Sequence, residues 1–82
     1  NPFNPETVIS FSLEKAGEVN LSVYDILGRT VTTLQQGYLP AGQHEFRWNG
    51  ADQYGQTVSS GVYFCRMVTP EYTRILKMTL LK

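Results

Sequence analysis

Apolar and polar residues alternate along most of this chain, in segments of five to ten residues set off by turn-forming residues. Thr7–Leu13 places Ile9, Phe11 and Leu13 on one face and Val8, Ser10 and Ser12 on the other, the period-two pattern of a half-buried strand. Val19–Tyr24 repeats it, with Val19, Leu21 and Val23 inward. Thr30–Gln36 reads as a third strand, but Val31 and Leu34 are three apart, which predicts a bulge or an early strand end. Gln43–Trp48 puts His44, Phe46 and Trp48 on one face. Val62–Thr69 and Tyr72–Leu81 follow, with Tyr63, Cys65 and Met67 inward together with Leu76, Met78 and Leu80. A weak seventh strand is expected near Thr57–Ser59, inside the long polar stretch Asn49–Ser60. No interval between the Gly and Pro residues carries a clean helical period. The expected fold is therefore all-β: an antiparallel Ig-like β-sandwich of about seven strands, with a small barrel as the alternative.

The last strand departs from this pattern. Ile75, Leu76, Met78, Leu80 and Leu81 place apolar residues on both faces. A strand buried on both sides reads like this, and so does an edge strand that docks against another protein.

Eighty-two residues make one domain. The expected division is a segment over 1–6 leading into a domain over 7–82. Asn1-Pro2-Phe3-Asn4-Pro5 should be extended, because residues before proline avoid the helical region, with Phe3 tacked onto the body. The chain begins at Asn1, with neither an initiator Met nor an apolar leader, and reads as a piece of a longer protein. Seven basic residues balance seven acidic ones, which argues against nucleic acid as a partner. No apolar run is long enough for a transmembrane helix. The charge is unevenly placed, however. Residues 1–28 carry Glu6, Glu14, Glu18 and Asp25 against Lys15, while residues 66–82 carry Arg66, Arg74, Lys77 and Lys82 against Glu71. Either strands of opposite sign pair across the sheet, or a partner reads the basic C-terminal strand.

Catalytic chemistry finds little support. The carboxylates fall in turns or on outward positions, where solvated surface accounts for them. Asp52, in the loop Asn49–Gly55, has no matching bidentate Glu for calcium, and turn chemistry explains the Asn, Gly and Asp there. His44 lacks the nucleophile and acid of a triad and reads as a half-buried structural residue. Cys65, the single cysteine, cannot form an internal disulfide and sits on the core face as a small hydrophobe. No enzyme activity, cofactor or metal site is expected. Tyr38, Tyr54 and Tyr72, in or near loops, could stack sugars if they were coplanar.

Several motifs occur in order along the chain: Asn1-Pro2-Phe3-Asn4-Pro5, Val23-Tyr24-Asp25-Ile26-Leu27-Gly28-Arg29, Ala41-Gly42, Trp48-Asn49-Gly50-Ala51-Asp52 with Gly55, Ser60-Gly61-Val62-Tyr63-Phe64, and Lys77-Met78 followed by Leu80-Leu81-Lys82. Together they resemble the type A C-terminal sorting domain of the type IX secretion system, and the related Ig-like domain of the flagellar hook-capping protein. The first resemblance implies a non-catalytic signal that directs a multidomain cargo protein across the outer membrane. Its partners would be an outer-membrane translocon, a sortase-like peptidase and the upstream domains of the parent. Its location would be the periplasm in transit, then the cell surface or medium. Mapped by motif, the recognition candidates are Asp25, Gly28, Arg29, Gly61, Tyr63, Lys77 and Leu80, with Lys77 the hardest to explain structurally. Two rivals stand beside it. One is an accessory carbohydrate- or protein-binding Ig-like module of a secreted hydrolase, using Tyr38, Tyr54 or Trp48. The other is a structural assembly domain of the hook-cap kind.

Overall fold

A computed structural model describes residues 6–81. Among them lie six strands: β1 (Thr7–Leu13), β2 (Gly17–Asp25), β3 (Thr30–Leu39), β4 (Gly42–Trp48), β5 (Gly61–Val68) and β6 (Thr73–Leu80). β1 and β4 form a two-stranded sheet, and the order β3-β2-β5-β6 forms a four-stranded one. All pairings are antiparallel. The sandwich thus holds six strands where about seven were expected. The weak seventh shrinks to an isolated bridge between Ala51 and Thr57, because the polar 49–60 stretch satisfies its backbone within its own turn. The extended conformation and Phe3 contact expected for residues 1–5 lie outside the described residues. Glu6 is described, and its carboxylate accepts from Arg47 at 3.0 Å.

Alternation fixes which side chains meet between the sheets. Ile9, Phe11, Leu13 and Trp48 from the small sheet pack with Val19, Leu21, Val23, Tyr63, Cys65, Met67, Met78 and Leu80 from the large one. Phe11 stacks on Phe46 at 5.9 Å, and Trp48 meets the Tyr63 ring edge-on at 5.1 Å. The irregular spacing of β3 is resolved by two bulges rather than by an early end. Leu21 and Ser22 pair with Gln35 and Thr33, leaving Leu34 as the extra residue; Val23 and Tyr24 pair with Thr32 and Thr30, leaving Val31. Each bulge turns an apolar side chain that would break the alternation back toward the core.

β6 is an edge strand, paired only with β5. This decides between the two readings of its two-sided apolarity. Met78 and Leu80 are buried, whereas Ile75 is 62% exposed. His44 is half-buried as expected, its Nε2 in a 2.7 Å hydrogen bond with the Pro40 carbonyl. No helix among the described residues is long and apolar enough to cross a membrane.

Candidate functional site

The β2–β3 connection, Asp25-Ile26-Leu27-Gly28-Arg29, is held by one side chain. Asp25 Oδ1 accepts from the backbone amides of Leu27 (2.9 Å) and Arg29 (3.0 Å), and Oδ2 accepts from Arg29 Nε (2.9 Å). The Gly28 amide donates to the Asp25 carbonyl at 3.0 Å, closing the turn, and Gly28 adopts φ +83°, where a side chain would be strained. The Arg29 amide above all holds the Asp25 carboxyl below its ordinary pKa; desolvation opposes it as the next largest effect, and the Arg29 guanidinium and the Leu27 amide add to the lowering.

The same turn occurs a second time, at Asp52-Gln53-Tyr54-Gly55-Gln56. Asp52 Oδ1 accepts from the amides of Tyr54 and Gln56, both at 2.9 Å; the Gly55 amide donates to the Asp52 carbonyl at 3.0 Å; and Gly55 takes φ +84°. Turn chemistry thus engages Asp52 Oδ1 with the backbone of its own loop. No cluster of three metal-ligating side chains exists among the described residues. The duplicated Asp-x-x-Gly-x spacing is visible in the sequence, and comparing the two loops directly would have found it.

The two turns differ at their tips. The second presents Gln53 and Tyr54, while the first presents Ile26 and Leu27, which are 69% and 73% exposed. The backbone device therefore does not require apolar residues there. Beside that tip lies a cleft of about 460 Å³, lined by Asp25, Ile26, Leu27, Arg29, Val31 and Val58–Tyr63. Its far wall is set by Tyr63, whose ring is buried against Trp48 and whose hydroxyl donates to the Ser59 carbonyl at 2.7 Å. That bond closes the 49–60 loop onto the core, and a second bond, from the Gln53 amide to the Val31 carbonyl at 3.0 Å, ties the loop to β3.

The structure brings Asp25, Arg29, Gly61 and Tyr63 to this one cleft, with Gly28 in the adjoining turn. Leu80 pairs with Gly61 but is a core side chain, packed beneath Gly50. Lys77 stands apart, opposite Phe64 on the outer face of the large sheet. Ile26, Leu27 and Val58 line the cleft and had not been singled out, because an apolar residue in a short loop carries no periodic signal.

The carbohydrate reading loses one of its three candidates, since Trp48 is 1% exposed and its indole Nε1 donates to the Ala51 carbonyl at 2.9 Å. Tyr54 lies in the second turn, whereas Tyr38 pairs with Glu18 at the opposite end of the sheet, and Tyr72 donates to the Ser12 carbonyl at 3.2 Å. Burial pushes the Cys65 thiol up to about 11, so it is a protonated core group and not a nucleophile.

The described residues thus form an Ig-like β-sandwich with an exposed apolar turn beside an open cleft. Residues 3–70 match the family model described as the FlgD Ig-like domain, and the chain belongs to that family. It is 42% identical over 50 residues to the basal-body rod modification protein FlgD of Salmonella typhimurium, and equally to that of Salmonella typhi. That match covers 61% of this chain and 22% of the relative, so the chain spans about a fifth of the length of the curated relatives it matches. The crystal structure of FlgD from P. aeruginosa superimposes with a TM-score of 0.68 at 28% identity, covering 92% of this chain and 60% of that one.

These matches correct the expectation drawn from the type IX resemblance. They place the chain in the FlgD Ig-like domain family, and neither a sorting signal nor a hydrolase-borne binding module is supported. The translocon and sortase-like peptidase fall as partners, and with them the expected route through the periplasm to the cell surface or medium. The physical reason is plain in the structure. Asp25-x-x-Gly28-Arg29 builds a turn, and Gly61-Val62-Tyr63 builds a strand start and a core contact. Motifs that encode architecture do not report which partner is bound.

Proposed function

We infer that this chain is a non-catalytic assembly domain of a flagellar hook-capping or rod-modification protein. The observation that carries this is the match of the FlgD Ig-like family to most of the chain, joined to the geometry of the β2–β3 turn. Residues 7–82 act as one unit in this reading. Ile26 and Leu27 insert into an apolar recess of a flagellar component or of a neighbouring domain, while the cleft behind them receives a side chain in return. Asp25, Gly28 and Arg29 position the tip, and Tyr63 holds the cleft wall; none of them needs to touch the partner. Stiffness matters because a preorganised turn loses little entropy on docking.

The test is a variant of the parent gene carrying Ile26→Asp with Leu27→Asp. Both side chains are exposed, so the purified domain should keep its melting temperature. Motility and hook assembly, scored by electron microscopy, should fail at wild-type protein levels. Normal hooks from that variant, or from a parent lacking this domain altogether, would sink the proposal.

A further inference from the structure

The uneven charge noted in the sequence is not neutralised by the fold. The described ion pairs join Arg29 to Asp25, and Arg47 to Glu6 and Glu45. None involves Arg66, Arg74 or Lys77 among the described residues. The acidic N-terminal third does not pair with the basic last strand, because β6 has β5 as its sole neighbour in the sheet, and β5 and β6 carry no carboxylate along their lengths.

Arg66 and Lys77 both point outward from the four-stranded sheet, away from the small one. Register places Tyr24, Phe64 and Lys77 side by side in one cross-strand row, and Ser22, Arg66 and Ile75 in a neighbouring row on the same face. Arg66 and Lys77 are therefore diagonal neighbours on adjacent strands, with backbones about 7–8 Å apart by sheet geometry. They bracket Phe64 and the exposed Ile75. An apolar patch holding unpaired cations is complementary to a surface that offers apolar side chains flanked by carboxylates.

We propose that this outer face of β5 and β6 docks an acidic amphipathic segment of a protein partner. Its apolar side chains lie on Phe64 and Ile75, and its carboxylates pair with Arg66 and Lys77. The proposal rests on reading the chain as an assembly domain, but it concerns a face separate from the Ile26–Leu27 tip. A second copy of the chain is a poor occupant, since two such faces would bring cations together without a carboxylate from β5 or β6. An anionic membrane is a poor occupant as well. Surface-binding segments gather about 4–8 cations, and this chain has formal net charge zero.

The ¹⁵N-labelled chain is titrated with a Leu/Glu amphipathic peptide, with a Leu/Lys peptide of the same apolar pattern, and with phosphatidylserine vesicles. Chemical shifts should move at Phe64, Arg66, Ile75 and Lys77 with the Leu/Glu peptide alone, and the affinity should fall as salt rises. Arg66→Glu with Lys77→Glu should weaken that peptide about tenfold and transfer the preference to the Leu/Lys peptide. Ile75→Ser, at an exposed position, should weaken both pairings while leaving the fold intact. Equal response to both peptides, shifts centred elsewhere, vesicle binding through this face, or self-association through it by sedimentation would each overturn the proposal. The titration is read on the isolated chain, so its failure is distinguishable from a failure of the motility test.

Discussion

Removing the Tyr63 side chain should expose how much of this small fold hangs on one residue. The ring is buried, meets Trp48 edge-on at 5.1 Å, and anchors the 49–60 loop through its hydroxyl at 2.7 Å from the Ser59 carbonyl. Tyr63→Phe deletes the hydrogen bond alone and should cost about 1 kcal/mol. Tyr63→Ala removes the ring as well, and large aromatic truncations cost roughly 3–5 kcal/mol. Of that, about 0.5–1.5 kcal/mol belongs to the edge-on contact with Trp48. A domain of this size holds about 5–15 kcal/mol in total, so the alanine variant loses a large share of its stability. At about 4–8 °C per kcal/mol, the phenylalanine variant should melt several degrees lower, and the alanine variant should melt at least about 12 °C lower or fail to fold. Urea denaturation followed by tryptophan fluorescence reads the change directly, because Trp48 is the single tryptophan and packs on the residue being altered. An alanine variant within about 1 kcal/mol of wild type, or a phenylalanine variant as damaged as the alanine one, would refute this assignment of the core.

Two further perturbations test separate parts of the structure. Gly28→Ala should cost about 1–2 kcal/mol, from the positive φ alone, since a Cβ there meets nothing within 4 Å. Gly50→Ala should cost more, because at φ +80° its Cβ would also lie 3.2 Å from Leu80 Cδ2 in the core; equal losses in denaturation would contradict that contact. Cys65 is held protonated by burial, with its pKa raised from 9.0 to about 11. Its contribution is therefore complete below pH 9 and lost as pH rises through 11. Cys65→Ala should flatten the alkaline decline in stability, and native protein at pH 8 should react with a thiol reagent far more slowly than unfolded protein; prompt labelling of the native chain would contradict the burial.

Much of the architecture was legible because alternation is a local property. The inward sets of β1, β2 and β5 appear in the sequence as every second residue, and the spacing of Val31 and Leu34 marked an irregularity in β3, a bulge or an early end, that the structure resolves as two bulges. The dense turn residues bounded the strands to within a few positions. Two features were missed for different reasons. The seventh strand was sought in a polar loop whose backbone bonds close within an Asp-x-x-Gly-x turn. The exposed Ile26 and Leu27 carried no period to mark them.

Chain chemistry alone thus determined an all-β architecture, its inward faces and the impossibility of an internal disulfide, because each depends on residue type and spacing. Which strands became neighbours was decided only in three dimensions. Leaving β6 at an edge, bringing residues 25–29 against residues 58–63, and separating the acidic third from the basic last strand are non-local outcomes. They depend on how the two sheets bury their apolar faces together, and that pairing is not written in any single segment.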